Sequence, residues 1–255
     1  MNEAELDAIA AQLRAARASR RPISPLSKSI PAFDAAAGYA VQESLRRQAG
    51  DLAGWKLGLT SPAKQVQMSV AEPIRGYLAA SDELPEGEAL VVGNYIQPKA
   101  EPEIVFVMRD DLEGASVSKD DVLAATSALA VGIEILDSRY KDYRFNLPDV
   151  VADNGSAARF VVGPHVPPQG LDLRLVGVVL EHGGEVAATA AGAASLGHPA
   201  AAVAWLVRSL AGAGRGLRAG EIVLSGGLTA AIAVAPGDFV TASIDRIGSI
   251  SLACV

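Results

Sequence analysis

Leu6, Ile9, Leu13 and Ala16 recur at three- and four-residue intervals, and the pattern stops at Pro22 and Pro25. This spacing predicts an amphipathic helix ended by proline. A second helix is expected after Asp34 as N-cap, with Ala37, Val41 and Leu45 on one face and an end at Gly50. At Gly54 the period changes. Trp55, Leu57 and Leu59 alternate with Lys56 and Gly58 up to Thr60, the signature of a half-buried strand. Ser61 and Pro62 then open a short helix as N-cap and first-turn proline.

From about residue 88 the chain reads mainly as strand. Strands are expected over Ala89 to Gln97, Glu103 to Met108, Gly132 to Leu136, Arg159 to Val162, Leu173 to Glu181, Glu221 to Leu224, Phe239 to Ile244 and Ser249 to Ala253. His182, Gly183 and Gly184 supply a hairpin turn. Two helices interrupt the strands, one after Ser118 and one from Pro199 to about Ala211. Strands and helices do not alternate regularly, which argues against a parallel βαβ sheet and for an α+β architecture with a rolled, mainly antiparallel core. The expected division is a smaller, largely helical region over residues 1–80 and a β-rich catalytic domain over residues 81–255.

Composition adds bounds. With 255 residues, half of them apolar, the chain can bury a core without disulfides or a structural metal. Its single cysteine, Cys254, excludes an intramolecular disulfide and makes no demand for an oxidising compartment, so a cytoplasmic location is expected. The net charge of −7 argues against non-specific nucleic-acid binding. The N-terminus mixes charges at helical spacing, and the alanine-rich stretch from Val186 to Leu210 is broken by glycine and proline, so no membrane span is expected.

Candidate chemistry centres on carboxylates. In KAEPEIVFVM, Glu101 and Glu103 project from one face of a strand while Ile104 and Phe106 occupy the other. Glu134 interrupts an apolar strand, VGIEILDS, where burying a carboxylate is costly unless it is paired or metal-bound. Three such groups suit a hard cation, Mg²⁺ or Mn²⁺. A solvated strand face is the alternative for Glu101 and Glu103, as an exposed strand lysine is for Lys56. The three histidines lack metal-ligand spacing.

These residues resemble a known family. GWKLGLTS (54–61), PKAEPEIVFVM (98–108), VGIEILDSRY (131–140), DVVADNGSAARFVVG (149–163) and LSGGLTAAIAVAPGD (224–238) are similar, in order, to motifs of the 4-oxalocrotonate decarboxylase and 2-keto-4-pentenoate hydratase family. That family lies in the fumarylacetoacetate hydrolase superfamily. The resemblance implies a distorted β-roll, an oligomeric assembly, metal ligation by Glu101, Glu103 and Glu134, and Lys56 as the active-site lysine. Asp153, Asn154 and Ser156 fall in a loop-like ADNGS segment, with a plain turn as the alternative. Ser225 and Thr229 bracket Gly226 and Gly227, where a plain hairpin turn is equally open. Asp153 and Ser156 are accordingly expected in catalysis. Asn154, Ser156, Arg159, Ser225 and Thr229 are expected in substrate binding, with Arg139, Arg144 and Arg159 as candidates for holding a departing carboxylate. The small residues before Arg159 and Phe160 look more like the decarboxylase branch. That branch implies conversion of 2-oxohex-3-enedioate to 2-hydroxypenta-2,4-dienoate and CO2 in aromatic meta-cleavage catabolism, with a homologous hydratase as partner. The rival readings are hydration of that dienoate and a non-catalytic partner of a hydratase.

Overall fold

The computed structural model describes residues 1–68 and 70–255. Two helices open the chain. α1 (Glu3–Ser19) is capped by Asn2, whose side chain accepts from the Glu5 amide, and α2 (Ala35–Arg47) is capped by Asp34 as expected. These caps satisfy amides that the first helical turn leaves without partners. β1 (Leu52–Gly58) follows, then α3 (Pro62–Met68) and β2 (Ile74–Ala79). The carboxylate strands are β3 (Lys99–Met108) and β4 (Thr126–Leu136), joined through α4 (Lys119–Ala124) with Ser118 as N-cap. After α5 (Leu147–Ala152) come β5 (Ala157–Val162), β6 (Gly177–His182), β7 (Glu185–Ala191), α6 (Pro199–Ala211), β8 (Ile222–Leu224), β9 (Ile232–Ala233), β10 (Phe239–Ile244) and β11 (Gly248–Ala253).

The strands form two sheets. The larger runs β2-β1-β8-β3-β4-β5, with β9 also pairing β3, and the smaller runs β11-β10-β6-β7. Every pair is antiparallel except β1 with β8. The α+β reading with a rolled, mainly antiparallel core therefore holds. Because β1 and β2 belong to the large sheet, its hydrogen bonding runs straight across residue 80.

The main core lies between one face of the large sheet, the small sheet and α6. Ile104, Phe106, Ile133 and Ile135 pack with Leu180, Val240, Ile250, Val203 and Leu206, all at most 2 % exposed. Burial of each such side chain stabilises the fold by about 1.5–3 kcal/mol. The opposite face of the large sheet carries Val105, Ala130, Phe160 and Leu224 at one end and the glutamates at the other. α1 packs on α2, and α2 packs against α5 and the edge strand β2. α2 lies so close to α5 that a Cβ on Gly38 would stand 2.6 Å from the Pro148 carbonyl oxygen.

Three expectations need correction. Residues 89–97 form no regular strand. Leu90 makes a single bridge to Cys254, Val92–Asn94 form a 3-10 turn, and the amides of Ile96 and Gln97 go to the Asp137 carboxylate instead of a ladder. The strand expected from Leu173 begins only at Gly177. The short helix α5 went unforeseen, although its sequence carries the signal: Asn146 donates its amide to Asp149 Oδ2 at 2.9 Å, and Pro148 sits in the first turn.

Candidate active site

Strand pairing assembles the acidic groups. Glu101 stands opposite Glu134 across β3 and β4, and Glu103 opposite Gly132. A two-residue period puts all three carboxylates on the face away from the main core. All three are buried, Glu103 completely. Lys56 on β1, 3 % exposed, brings its Nζ to 2.6 Å from Glu134 Oε1 and donates to the Gly155 carbonyl at 3.1 Å. Lys64 on α3 pairs with Glu101 Oε2 at 2.8 Å. Glu103 Oε2 accepts from the Gly226 amide at 2.6 Å, while Glu103 Oε1 has no hydrogen-bond partner among the described residues. Glu134 Oε1 receives the ion pair from Lys56 without hydrogen-bond geometry.

The electrostatics follow from burial. Desolvation, then the neighbouring Glu134 charge, pushes the Glu103 pKa well above the usual carboxylate range. Glu134 is raised as well, chiefly by desolvation, with Lys56 pulling the other way. Burial works against the Lys64 charge, but Glu101, helped by Glu103 and Glu134, holds its pKa above the lysine norm. Two lysines do not fully neutralise three buried glutamates, so the donor set fits a divalent cation with oxygen ligands. The packing around Glu101 fits too: a Cβ on Gly227 would fall 1.4 Å from Glu101 Oε2, so only glycine leaves room for that carboxylate. Among the described residues no three such groups already converge on one point, because Glu101 and Glu134 each face a lysine.

Of these groups, Lys56, Lys64, Glu101 and Glu134 line a cavity of about 500 Å³, which the fully buried Glu103 does not border. Lys56, Lys64, Lys99, Glu101 and Glu134 supply its charge. Leu59, Met68, Ile74, Leu136, Phe145 and Val150 supply apolar walls. Ser156 and Thr229 border the cavity. The Thr229 hydroxyl donates to the Ala230 carbonyl at 3.0 Å.

Other expected residues lie elsewhere. Asp153 forms a buried ion pair with Arg139, whose guanidinium also donates to the carbonyls of Asp137, Ala157 and Asp153. Burial pushes the Asp153 pKa up to about 6 against the pull of Arg139. Both line a second cavity behind the loop, and neither borders the acidic one. Asn154 is a clamp. Its Oδ1 accepts from the Tyr77 amide and its Nδ2 donates to the Tyr77 carbonyl, both at 2.9 Å, as a neighbouring strand would. That clamp holds Asn154, Gly155 and Ser156 in consecutive left-handed conformations, φ 53°, 62° and 62°, and so aims the Gly155 carbonyl at Lys56. Arg159 donates to Tyr95 Oη and the Ser81 carbonyl, away from the acidic cavity. Arg144 is exposed and Ser225 is fully buried, and neither borders that cavity.

Lys64, Lys99 and Tyr143 are cavity residues that the sequence reading missed. A signal existed for Lys99, which precedes Glu101 by two and therefore shares its face. Lys64 had none, since a lysine in the first turn of a short helix ordinarily faces solvent.

A rolled α+β body with a buried carboxylate cluster on one face of its large sheet has the architecture of the fumarylacetoacetate hydrolase superfamily. The chain belongs to that family: residues 52–253 match the profile described as fumarylacetoacetate (FAA) hydrolase C-terminal. It is 38 % identical to a 4-oxalocrotonate decarboxylase of Pseudomonas putida, over 98 % of this chain and 97 % of that one. It is 40 % identical to a 2-keto-4-pentenoate hydratase of Burkholderia vietnamiensis, over 95 % and 94 %. Among solved structures, the 4-oxalocrotonate decarboxylase of Pseudomonas putida G7 complexed with magnesium and adipate superposes with a TM-score of 0.97 at 38 % identity, covering 100 % of this chain and 99 % of the other. No helix among the described residues is long and apolar enough to cross a membrane.

Proposed function

We propose that this chain is a divalent-metal-dependent lyase that decarboxylates 2-oxohex-3-enedioate to 2-hydroxypenta-2,4-dienoate. The observation that carries the reading is the buried, under-neutralised cluster Glu101, Glu103 and Glu134, of which Glu101 and Glu134, with Lys56, line a cavity of about 500 Å³. Glu101, Glu103 and Glu134 are the residues that hold Mg²⁺ or Mn²⁺, in keeping with the magnesium bound by the relative of TM-score 0.97. A cation there supplies Lewis-acid stabilisation of negative charge developing on the substrate's C2 oxygen.

The chain's own residues do the rest. In decarboxylation the C5–C6 bond breaks and CO2 leaves. The electron pair moves through the C3=C4 bond to the C2 oxygen, giving a dienolate that needs one proton on that oxygen. Lys56, buried and held by Glu134 and the Gly155 carbonyl, is the group placed to deliver it. Ser156 and Thr229 border the substrate, alongside the apolar walls of the cavity. Asp153 and Asn154 act behind the loop by fixing its shape, and Arg159 and Ser225 do not border the cavity.

Hydration of 2-hydroxypenta-2,4-dienoate is the second reading, favoured by the 40 % identity to a hydratase. The dicarboxylate adipate, bound in the complex of the decarboxylase that superposes with a TM-score of 0.97, supports the decarboxylase reading. Product analysis decides. With Mg²⁺, the purified protein should release CO2 from 2-oxohex-3-enedioate and add no water to the dienoate. Formation of 4-hydroxy-2-oxopentanoate from the dienoate, with no CO2 from the diacid, would transfer the assignment to hydratase.

A further inference from the structure

Three lysines border the acidic cavity, and two of them are committed: Lys56 to Glu134 and Lys64 to Glu101. Lys99 has no carboxylate partner among the described residues. Its Nζ rests instead 4.1 Å from the centroid of the Tyr143 ring, and the Tyr143 hydroxyl donates to the Gln97 carbonyl at 3.2 Å, which fixes the ring beneath the ammonium. A cation stacked on an aromatic face is held in place while its remaining N–H groups stay free to donate.

Strand geometry gives the spacing. Lys99 precedes Glu101 by two residues on the same face of β3 and pairs across to Leu136, itself two residues beyond Glu134 on β4. At roughly 3.4 Å per residue, Lys99 stands one step of about 7 Å outward from the Glu101–Glu134 pair. The two end carbons of an extended six-carbon diacid are separated by roughly 6 Å, from ordinary bond lengths. Beside Lys99 the cavity wall carries Leu136, its cross-strand partner, and Phe145, whose ring lies 6.3 Å from that of Tyr143. A second carboxylate placed against such a wall needs a cation, because an unpaired charge there would be desolvated without return.

We infer that Lys99, seated on Tyr143, is the specificity residue that binds the far carboxylate of a dicarboxylic substrate whose 2-oxo acid end lies at the glutamates. The inference rests on the 2-oxo acid reading above and extends it to substrate selection. Lys99 is half-buried, so it positions the departing carboxylate while leaving it partly hydrated. It therefore governs which acids bind without itself taking part in bond breaking.

The test uses the Mg²⁺-loaded full-length protein and two unreactive probes, 2-oxoadipate and 2-oxohexanoate, which differ only in the far carboxylate. By calorimetry the wild type should bind the diacid at least ~10-fold more tightly, the lower end of what a charged hydrogen bond contributes. Lys99→Met keeps the stem on Tyr143 and should bring the two affinities to within about twofold by weakening the diacid alone. Lys99→Gln should do the same and covers the case in which the Met variant does not fold. Equal preference for the diacid in wild type and variants, with both probes bound, would overturn the role of Lys99. Failure of wild type to bind either probe would overturn the 2-oxo acid reading instead.

Discussion

Replacing Gly227 by alanine probes the metal site without touching a ligand. The added Cβ would lie 1.4 Å from Glu101 Oε2 and 2.5 Å from its Cδ, where ordinary contact begins at 3.4 Å, so the carboxylate must retreat by about 2 Å. Metal–oxygen distances tolerate only about 0.2 Å. The methyl therefore takes the position that Glu101 holds beside Lys64, and the prediction is that no other placement of the carboxylate meets that tolerance. Disturbing a group that merely supports a ligand costs ~10–100-fold in affinity, so displacing a ligand itself should weaken Mg²⁺ or Mn²⁺ binding by at least ~100-fold. The cost to the fold is small by comparison. Gly227 is not held in the left-handed region, and the Glu101–Lys64 pair it disrupts is partly exposed on the lysine side, a contact worth up to about 1 kcal/mol. For a domain of this size that lowers the Tm by about 2–4 °C. Calorimetric titration with Mn²⁺, paired with a thermal melt of the metal-free protein, separates the two effects. Unchanged metal affinity in a folded Gly227→Ala protein would refute the reasoning.

Three further outcomes are expected. Lys56→Ala should lower turnover by at least ~100-fold in steady-state assays, and Lys56→Arg should not restore it, because a guanidinium does not give up its proton; near-normal turnover of either would remove Lys56 from the chemistry. Glu43, hydrogen-bonded to Arg46 and also facing Arg215, has a pKa lowered from 4.5 to about 2, so its contribution is present above pH 4.5 and lost as pH falls toward 2. One-third exposure limits that contribution to about 1 kcal/mol, and Glu43→Gln should cost this much in urea melts at pH 7 and only a small part of it at pH 2, where the folded carboxylate is half protonated. Because the dienol product can ketonise in water, association with a homologous hydratase is expected, and two proteins that sediment independently at micromolar concentration would count against it.

The large sheet was legible because its residues announce a period of two. Alternation around Lys56 and across Glu101, Glu103 and Ile104 placed the site on one face before any coordinates. Isolation of Glu134 among isoleucines marked a buried charge, and it is 1 % exposed. Where legibility failed, the cause was long-range pairing. The loop from Asp153 to Ser156 reads the same whether its side chains meet a substrate or brace the backbone. Only the approach of Arg139 to Asp153 and of Tyr77 to Asn154 shows that those two brace it. Residues 89–97 have the composition of a strand, yet Asp137, some forty residues on, takes the amides of Ile96 and Gln97. Lys99 shares a face with Glu101 by spacing alone, but its ring partner, Tyr143, lies 4.1 Å away across a loop that sequence spacing does not place.

All of the proposed chemistry depends on Glu101, Glu103 and Glu134 sharing one cation. Anomalous diffraction from crystals grown with Mn²⁺ tests this most directly. The expected result is one strong peak within about 2.0–2.2 Å of an oxygen from each of the three glutamates, with Lys64 displaced from Glu101. A peak bound elsewhere, or glutamates still paired with Lys56 and Lys64 in saturating Mn²⁺, would contradict the account.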